Sequence, residues 1–438
     1  AFKPDEEIVR EVSLSKCFKD DGSFLHNEFA HLLISGMNIV TVNGLCYVYD
    51  QGYYRYAERD IERAMISLYP TIRRNQRAEV MDYIKILTHK SSAEIEVPEY
   101  IINVKNCRLD VRTGQQLPFD SSVFDFVRIP VVYDPEAYHE VLDKMLNRVF
   151  KNDIQVRALF EELVGYTLIR NCRFRKGFLF YGGGSNGKST ILNLLKKFLG
   201  EENVATIELE KLGDRFKTAE LENKLANIGD DISHREIQDT GTIKKLFTGE
   251  SVTVERKGQD PFTLKSHAKM IFSTNQIPRI ADRSRGMYSR LMLVPFTASF
   301  QPSDADFDPF IEDKITTPEA LSYLLNLGLR GIQRVLSQNR FTTPKVVEKA
   351  LEEFERDQSL VLTWIEEEGI HPRTLTEQTT DALYSEFQDW CLRSGHKYAV
   401  TLRTFHRDIE GHYGFERIRI RNQDTGSRYR FKFVVNLG

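Results

Sequence analysis

Apolar and polar positions change their rhythm from block to block along this chain, and each rhythm predicts an element. "MNIVTVNGLCYVYDQGYYRY", Met37 to Tyr56, alternates about Asn43-Gly44, a dipeptide that suits a two-residue hairpin turn because both positions take positive φ. "ERDIERAMISLY" and "RAEVMDYIKILTHK" instead space their apolar residues as a helix does. "IINVKNCRLDVRTGQQLPF" predicts short strands with turns at Lys105-Asn106 and Thr113-Gly114. After Tyr133-Asp134-Pro135 the pattern is helical up to about Arg170.

Residues 177 to 297 alternate short apolar runs with helical stretches, which predicts an α/β unit. The runs are "GFLFYG", "LANIGDD", "AKMIFSTN" and "RLMLVPF". Thr317-Pro318-Glu319 opens a further helix, with Thr as cap and Pro in the first turn. A polar connection runs from Asn339 to Pro344. From about Glu348, helical segments lead into "ERIRIRNQDTGSRYRFKFVV", two alternating strands about Asp424-Thr425-Gly426. Three domains are expected: an α+β N-terminal accessory domain over 1–140, an α/β core with a helical lead-in over 141–345, and a C-terminal domain over 346–438.

Composition narrows the class. Apolar content of 41% and charged content of 28% are those of a globular chain. No apolar run approaches the ~20 residues of a membrane span, and "AFKPDEEIVREV" offers no secretory h-region. The chain starts without Met, which reads as a processed or excised fragment. Cys17, Cys46, Cys107, Cys172 and Cys391 form no CxxC pair; a zinc site or a disulfide framework is not expected, and a reducing, cytoplasmic compartment of a bacterial or host cell is. The net charge of −3 does not advertise nucleic-acid binding, yet phosphate contacts depend on local charge.

The chemistry begins at "FLFYGGGSNGKSTILNLLKKFLG". Gly182, four residues, then Gly187-Lys188-Ser189 fit the phosphate-loop pattern between an apolar run and an apolar-periodic helix. Gly182, Gly183, Gly184, Ser185, Asn186 and Gly187 would curl so that successive N–H groups face phosphate oxygens. Lys188 would reach the β/γ phosphates, and the Ser189 hydroxyl, with Thr190 beside it, would face Mg²⁺. A glycine-rich turn without chemistry is the bland alternative. Asn223-Lys224 lacks the Asp that would complete a guanine-reading signature, so ATP, or relaxed base choice, is expected.

"LANIGDD" ends an apolar run on Asp230-Asp231. There Asp230 can hold Mg²⁺ through its water, and Asp231 can orient or deprotonate the attacking water. The alternative is a solvated strand end. "AKMIFSTNQIP" ends a buried run on Asn275, which can bond the γ-phosphate or the water; its alternative is a turn residue. "DRSRGMYSRLMLVPF" holds Arg283, Arg285 and Arg290. Arg290 is the first choice for an arginine supplied to a neighbouring subunit's site, against a surface arginine or a salt bridge.

These motifs, in this order, resemble a superfamily 3 helicase, closest to the phage-, satellite- and poxvirus-type primase–helicases. "VVYDPEAYHEVLDKMLNRVF", "GDRFKTAELENKLANIGDDIS", "IKKLFTGESVTVERK", "KMIFSTNQIPRI" and "YSRLMLVPF" carry the resemblance, strongly from Asn103 to Phe296 and more weakly to the C-terminus. The family usually shows two arginines before its last core strand; here the first is Ser289. The resemblance implies an AAA+ ATPase core in a homohexameric ring, moving 3′→5′ on single-stranded and forked DNA during replication. A primase partner or upstream primase region fits the family, since no primase active site is apparent in this chain.

"VTVER" and "FTLKS" alternate about Lys257-Gly258-Gln259 and predict a hairpin. In the family the equivalent hairpin grips DNA inside the ring, which nominates Lys257 at the tip, supported by Arg256, with Lys265 and His267 behind. A solvated lysine is the alternative. From Cys391 to Gly438 ten Lys/Arg face four Asp/Glu. "TLRTFHRDIEGHYG" followed by the Arg-rich hairpin resembles a winged helix that touches duplex DNA, or else packs an oligomer. The run Asp304 to Asp308 lies in a polar, Pro-bounded loop with no strand pattern to hold a metal. The expected function is an ATP-dependent replicative helicase of a virus or mobile element. An origin-binding initiator or loader is the runner-up; a small-molecule kinase would leave the hairpin, the paired acids and the basic tail unexplained.

Overall fold

The computed structural model describes residues 14–91, 94–230, 237, 240–258, 260–280, 282, 284–357, 359–396, 399–421 and 429–435. The chain divides into two compact units. The first gathers residues 1–232, 241–276 and 296–344, so residues on either side of position 140 belong together. The second gathers 233–240, 277–295 and 345–438.

The first unit opens with helix α1 (His26–Met37), strands β1 (Ile39–Val42), β2 (Leu45–Asp50) and β3 (Tyr53–Tyr56), and helices α2 (Glu58–Leu68) and α3 (Arg74–Leu87). The Asn43-Gly44 hairpin forms as expected: both residues have positive φ, and Val42 pairs with Leu45. A second two-residue turn, at Gln51-Gly52, joins Asp50 to Tyr53. Phe29, Ile61, Met65, Val80 and Ile84 close the core beneath these helices. Strands β4 (Ile101–Asn103), β5 (Arg108–Asp110) and β6 (Gln115–Leu117) form an antiparallel meander, turning where the sequence places turns.

Helices α4 (Glu140–Val149) and α5 (Ile154–Thr167) lead into the part that positions the site. It contains β7 (Gly177–Tyr181), α6 (Lys188–Leu199), β8 (Val204–Ala205), β9 (Ala226–Gly229), α7 (Gly241–Thr248), β10 (Val252–Val254), β11 (Phe262–Leu264), β12 (Lys269–Thr274) and α8 (Pro318–Gln338). Strands β7, β12, β9 and β8 lie side by side in that order and run parallel. All six residues of β12 and all four of β9 are buried, as continuous apolar runs in covered parallel sheets should be. The order is not the sequence order: β12 inserts between β7 and β9.

Helix α8 starts as its sequence suggests, with the Thr317 hydroxyl accepting from the Ala320 N–H and Pro318 in the first turn. Its contact with α5 is unusually close. A Cβ added at Gly165 would meet the Gly328 oxygen at 2.2 Å, and one at Gly331 would meet the Glu161 oxygen at 2.1 Å. Only glycine lets the two backbones approach this far. Buried Glu162 fastens the same crossing, accepting from Arg334 Nε at 2.6 Å and from Thr342 N at 2.7 Å.

The second unit holds β13 (Leu291–Pro295), α9 (Lys345–Asp357), α10 (Leu360–Glu367), α11 (Thr380–Arg393), α12 (Leu402–Tyr413), and the antiparallel pair β14 (Phe415–Arg421) and β15 (Tyr429–Val435). Trp364, Phe387, Trp390, Phe405 and Phe433 form its core. The expected turn at Asp424-Thr425-Gly426 lies outside the described residues. All five cysteines are buried free thiols. Among the described residues no helix is long and apolar enough to cross a membrane.

Candidate nucleotide site and hairpin

Parallel strands deliver their C-terminal ends to one edge, where open α/β sheets bind ligands. At that edge β7 runs into the loop Gly182–Gly187, β9 ends beside Asp230, and β12 ends beside Asn275. The insertion of β12 therefore sets Asn275 between the loop and the acid. The three strand ends surround a cavity of about 390 Å³ lined by Gly183 to Thr190, Asp230, Ser273, Thr274 and Asn275.

The loop holds its shape through contacts that only its own residues allow. Gly182 has φ +149°, and a Cβ there would meet the Phe296 carbonyl oxygen at 2.3 Å. Ser185 takes φ 53° and Gly187 φ 86°. Asn186 donates from Nδ2 to the Phe296 oxygen at 3.0 Å, and Phe300 N donates to the Ser185 oxygen at 2.8 Å.

Lys188 starts α6 and is 6% exposed. Its Nζ donates to the oxygens of Gly182 (2.7 Å) and Gly183 (2.9 Å), to Asn186 Oδ1 (3.1 Å) and to Asn275 Oδ1 (3.4 Å). Burial pushes the ammonium below its ordinary pKa, and the Asp230 carboxylate opposes that shift. Ser189 and Asp230 are exposed to the cavity edge. They offer hard oxygen donors on one cavity, the set Mg²⁺ uses alongside phosphate oxygens. Asp231 lies outside the described residues.

Across the loop lies a larger cavity of about 760 Å³ that shares Ser185, Gly187 and Thr190 with the first. Met145, Val149, Phe300, Phe307 and Phe310 give it apolar walls. Arg148 stands over the Phe300 ring at 4.7 Å and pairs with Asp304 at 2.8 Å and with Asp306. Asp308 pairs with Lys314 at 2.6 Å, so the Asp304–Asp308 run is engaged in ion pairs. No sequence pattern pointed to this cavity, because α4 and the loop after Phe296 meet only in the fold.

The hairpin β10–β11 pairs Val252 with Leu264 and Val254 with Phe262. Its strands are shorter and its connection longer than the alternation suggested; Gln259 lies outside the described residues. Lys257 and Gly258 are exposed in the connection. Two of the four expected cations are only partly exposed. Arg256 is half-buried, ion-paired to Glu222 and stacked on Phe262 at 4.7 Å. His267 lies past the return strand with its Nε2 buried and unpartnered among the described residues. Burial first, then Arg170 and Lys269, drive its pKa well below the usual imidazole value, so it is neutral. Lys265 is exposed.

Arg290 belongs to the second unit, where its Nη1 donates to the Gly286 oxygen. Arg283 and the side chain of Arg285 lie outside the described residues. In the same unit Arg417 pairs with Glu410 and contacts His406 Nδ1, Arg393 pairs with Glu368, and Lys432 donates to the Glu377 oxygen.

Sequence reading passed over Lys269, although a lysine at the head of an apolar run was a signal. It is 1% exposed. Its Nζ donates to the oxygens of Ile169, Asn171 and His267 at 2.9, 2.9 and 2.6 Å and sits 4.5 Å from the Tyr166 ring centre. Burial lowers its pKa to about 8. Below pH 8 the native and unfolded chains both hold this proton; between there and about 10.4 only the unfolded chain does, so stability rises with pH across that window, by on the order of 2–3 kcal/mol. Urea melts from pH 7 to 10 on wild type and Lys269→Met should differ in slope by this contribution; parallel slopes would remove it.

Residues 20–151 match a family model described as D5 N terminal like, and residues 180–290 match a family of unknown function, DUF5906. The chain is 26% identical over 193 residues to "Putative helicase 184R" of Invertebrate iridescent virus 6, covering 39% of this chain and 19% of that protein. It is 24% identical over 240 residues to "Putative helicase 022R" of Frog virus 3 (isolate Goorha), covering 49% and 24%. It spans about a fifth to a quarter of the length of these curated relatives. Among solved structures, the A form apo structure of the NrS-1 C-terminal region shares the fold at 14% identity, covering 93% of this chain and 98% of that one with a TM-score of 0.51. These curated matches are viral proteins named as putative helicases, each similar to this chain over part of its length.

Proposed function

We propose that this chain is the motor of an ATP-driven DNA helicase in viral or mobile-element replication, with an AAA+ core of superfamily 3 type acting as a homohexameric ring. The observation that carries the reading is the convergence of Lys188, Ser189, Asp230 and Asn275 on one cavity at the ends of β7, β9 and β12. The adjoining apolar cavity supports a nucleotide over a bare polyphosphate, since it suits a base and sugar beside a triphosphate. Lys188 would leave the loop carbonyls for the β/γ phosphates. Asp230 and Ser189 would hold Mg²⁺, which when bound neutralises phosphate charge. Asn275 would orient the attacking water or the γ-phosphate, with Asp231 as its base. Arg290 would serve a neighbouring subunit's site.

On the DNA side the reading retains Lys257 and Lys265. Arg256 acts instead as a brace, tying the hairpin to Glu222. A second reading, an origin-binding initiator or loader, draws on the winged-helix-like second unit, where Arg403 and Arg419 are exposed.

Strand displacement on forked DNA with a single 3′ or 5′ tail, with and without ATP and Mg²⁺, separates the two. ATP-dependent displacement with the 3′ tail alone is expected. Hydrolysis and DNA binding without displacement on either fork would transfer the assignment to the initiator.

A further inference from the structure

The phosphate loop occupies the C-terminal ends of β7 and β12. At their opposite ends the first unit carries a separate cleft of about 660 Å³. One wall is the segment from Arg170 to Arg175, which runs on into β7. The facing wall is Thr263 to His267, which comes down from the hairpin and runs on into β12. Val42, Ile95, Val97 and Phe126 from the N-terminal strands and loops supply an apolar side.

The charge balance of the cleft favours an anion. Arg170 is closed off in a buried pair with Asp125 at 2.6 Å. Glu222 is occupied by Arg256 and by Asn43 Nδ2, which donates at 2.6 Å. Arg173 donates to the neutral amide of Asn339, at 3.1 Å, and has no ion-pair partner among the described residues. Arg175 and Lys265 are exposed and have no ion-pair partner among the described residues. Against these three cations stands Glu99, which accepts from Asn171 Nδ2 at 2.9 Å. Buried Lys269 adds positive charge directly behind the wall.

We propose that this cleft binds a phosphate-bearing nucleotide unit. Arg173, Arg175 and Lys265 face its phosphate, and Phe126 and Val97 lie beside its base or sugar. The pairing of uncommitted cations with an apolar flank in one volume favours a nucleotide over an acidic peptide, which needs no apolar wall. The phosphate can come from a single DNA strand or from a free nucleotide. Lys265 is shared with the DNA side of the helicase reading, whereas Arg173 and Arg175 belong to the cleft alone; the choice of a DNA strand as the source rests on that reading.

The test uses the full chain as wild type, Arg175→Glu, and Arg173→Glu with Arg175→Glu, with circular dichroism melts as the folding control. One probe is a fluorescein-labelled twelve-residue oligothymidylate without ATP. The other is deoxyadenosine monophosphate, titrated in a Lys188→Ala background to silence the phosphate loop. Arg175→Glu is expected to weaken oligonucleotide binding about fivefold and the double variant about twentyfold, with the salt slope falling by about 0.7 for each phosphate no longer neutralised. Weakening confined to the monophosphate would support the cleft with a free nucleotide as its ligand. Unchanged binding of both probes would overturn the proposal, as would tighter binding of a polyglutamate peptide than of either probe. Absence of ATP hydrolysis in wild type would remove the motor reading and leave these titrations interpretable.

Discussion

Replacing Lys188 by alanine is expected to abolish ATP hydrolysis while leaving the fold intact. The ammonium is the one side-chain cation among the described residues that reaches into the 390 Å³ cavity, and burial strengthens whatever it touches. Its loss removes a preorganised donor to the transferring phosphoryl group, an effect of about 10²–10³-fold or more in rate. Folding should survive because the loop has other anchors: Asn186 on the Phe296 oxygen and Phe300 N on the Ser185 oxygen. Lys188→Arg should not rescue, since a planar guanidinium cannot reproduce a point donor shared among four oxygens. Phosphate release, read beside a thermal melt, checks both halves. Wild-type rates in a folded Lys188→Ala would end the nucleotide assignment.

Lys257→Ala is expected to separate hydrolysis from work: basal ATPase retained, strand displacement abolished. Lys257 is exposed beside Gly258, whose φ of +76° shapes the turn. The hairpin below it is braced by Arg256 on Glu222, so a push on the tip is delivered to β11 and onward to β12. Truncating the tip removes a cation that would meet a DNA phosphate and leaves the nucleotide cavity untouched. In the proposed ring each such cation would be repeated once per subunit, so a small deficit in one chain would multiply. Displacement assays on forked DNA, run beside phosphate release, decide it; normal displacement would take the hairpin out of the mechanism.

What the sequence disclosed depended on how local the physics was. Asn43-Gly44 fixes its hairpin from two residues, and the phosphate loop is a continuous run whose glycines and Lys188 need no distant partner to be recognised. Asp230 and Asn275 were legible as polar ends of apolar runs. The insertion of β12 between β7 and β9, which brings them to one cavity, was not, because strand order is a long-range property. The same limit hid the pairing of Arg256 with Glu222 and the enclosure of the His267 Nε2; each looked like a free hairpin cation, because neither engagement can be read from its neighbours in the chain. The close α5–α8 crossing was carried by Gly165, Gly328 and Gly331, three residues that a helical pattern reads only as weak points.

The burial of every native cysteine bears on how the moving parts can be watched. A thiol reacts as its thiolate, and burial pushes the Cys17 thiol up to about 11 and raises those of Cys46, Cys107 and Cys391 as well. Maleimide reagents at neutral pH therefore meet a folded chain whose five sulfurs are shielded by packing, with Cys17, Cys46, Cys107 and Cys391 poor in thiolate as well. A single cysteine placed on an exposed turn would take a fluorophore ahead of all five, with no need to rebuild the core around serine or alanine first. The chain is, in effect, already prepared for site-specific distance measurements.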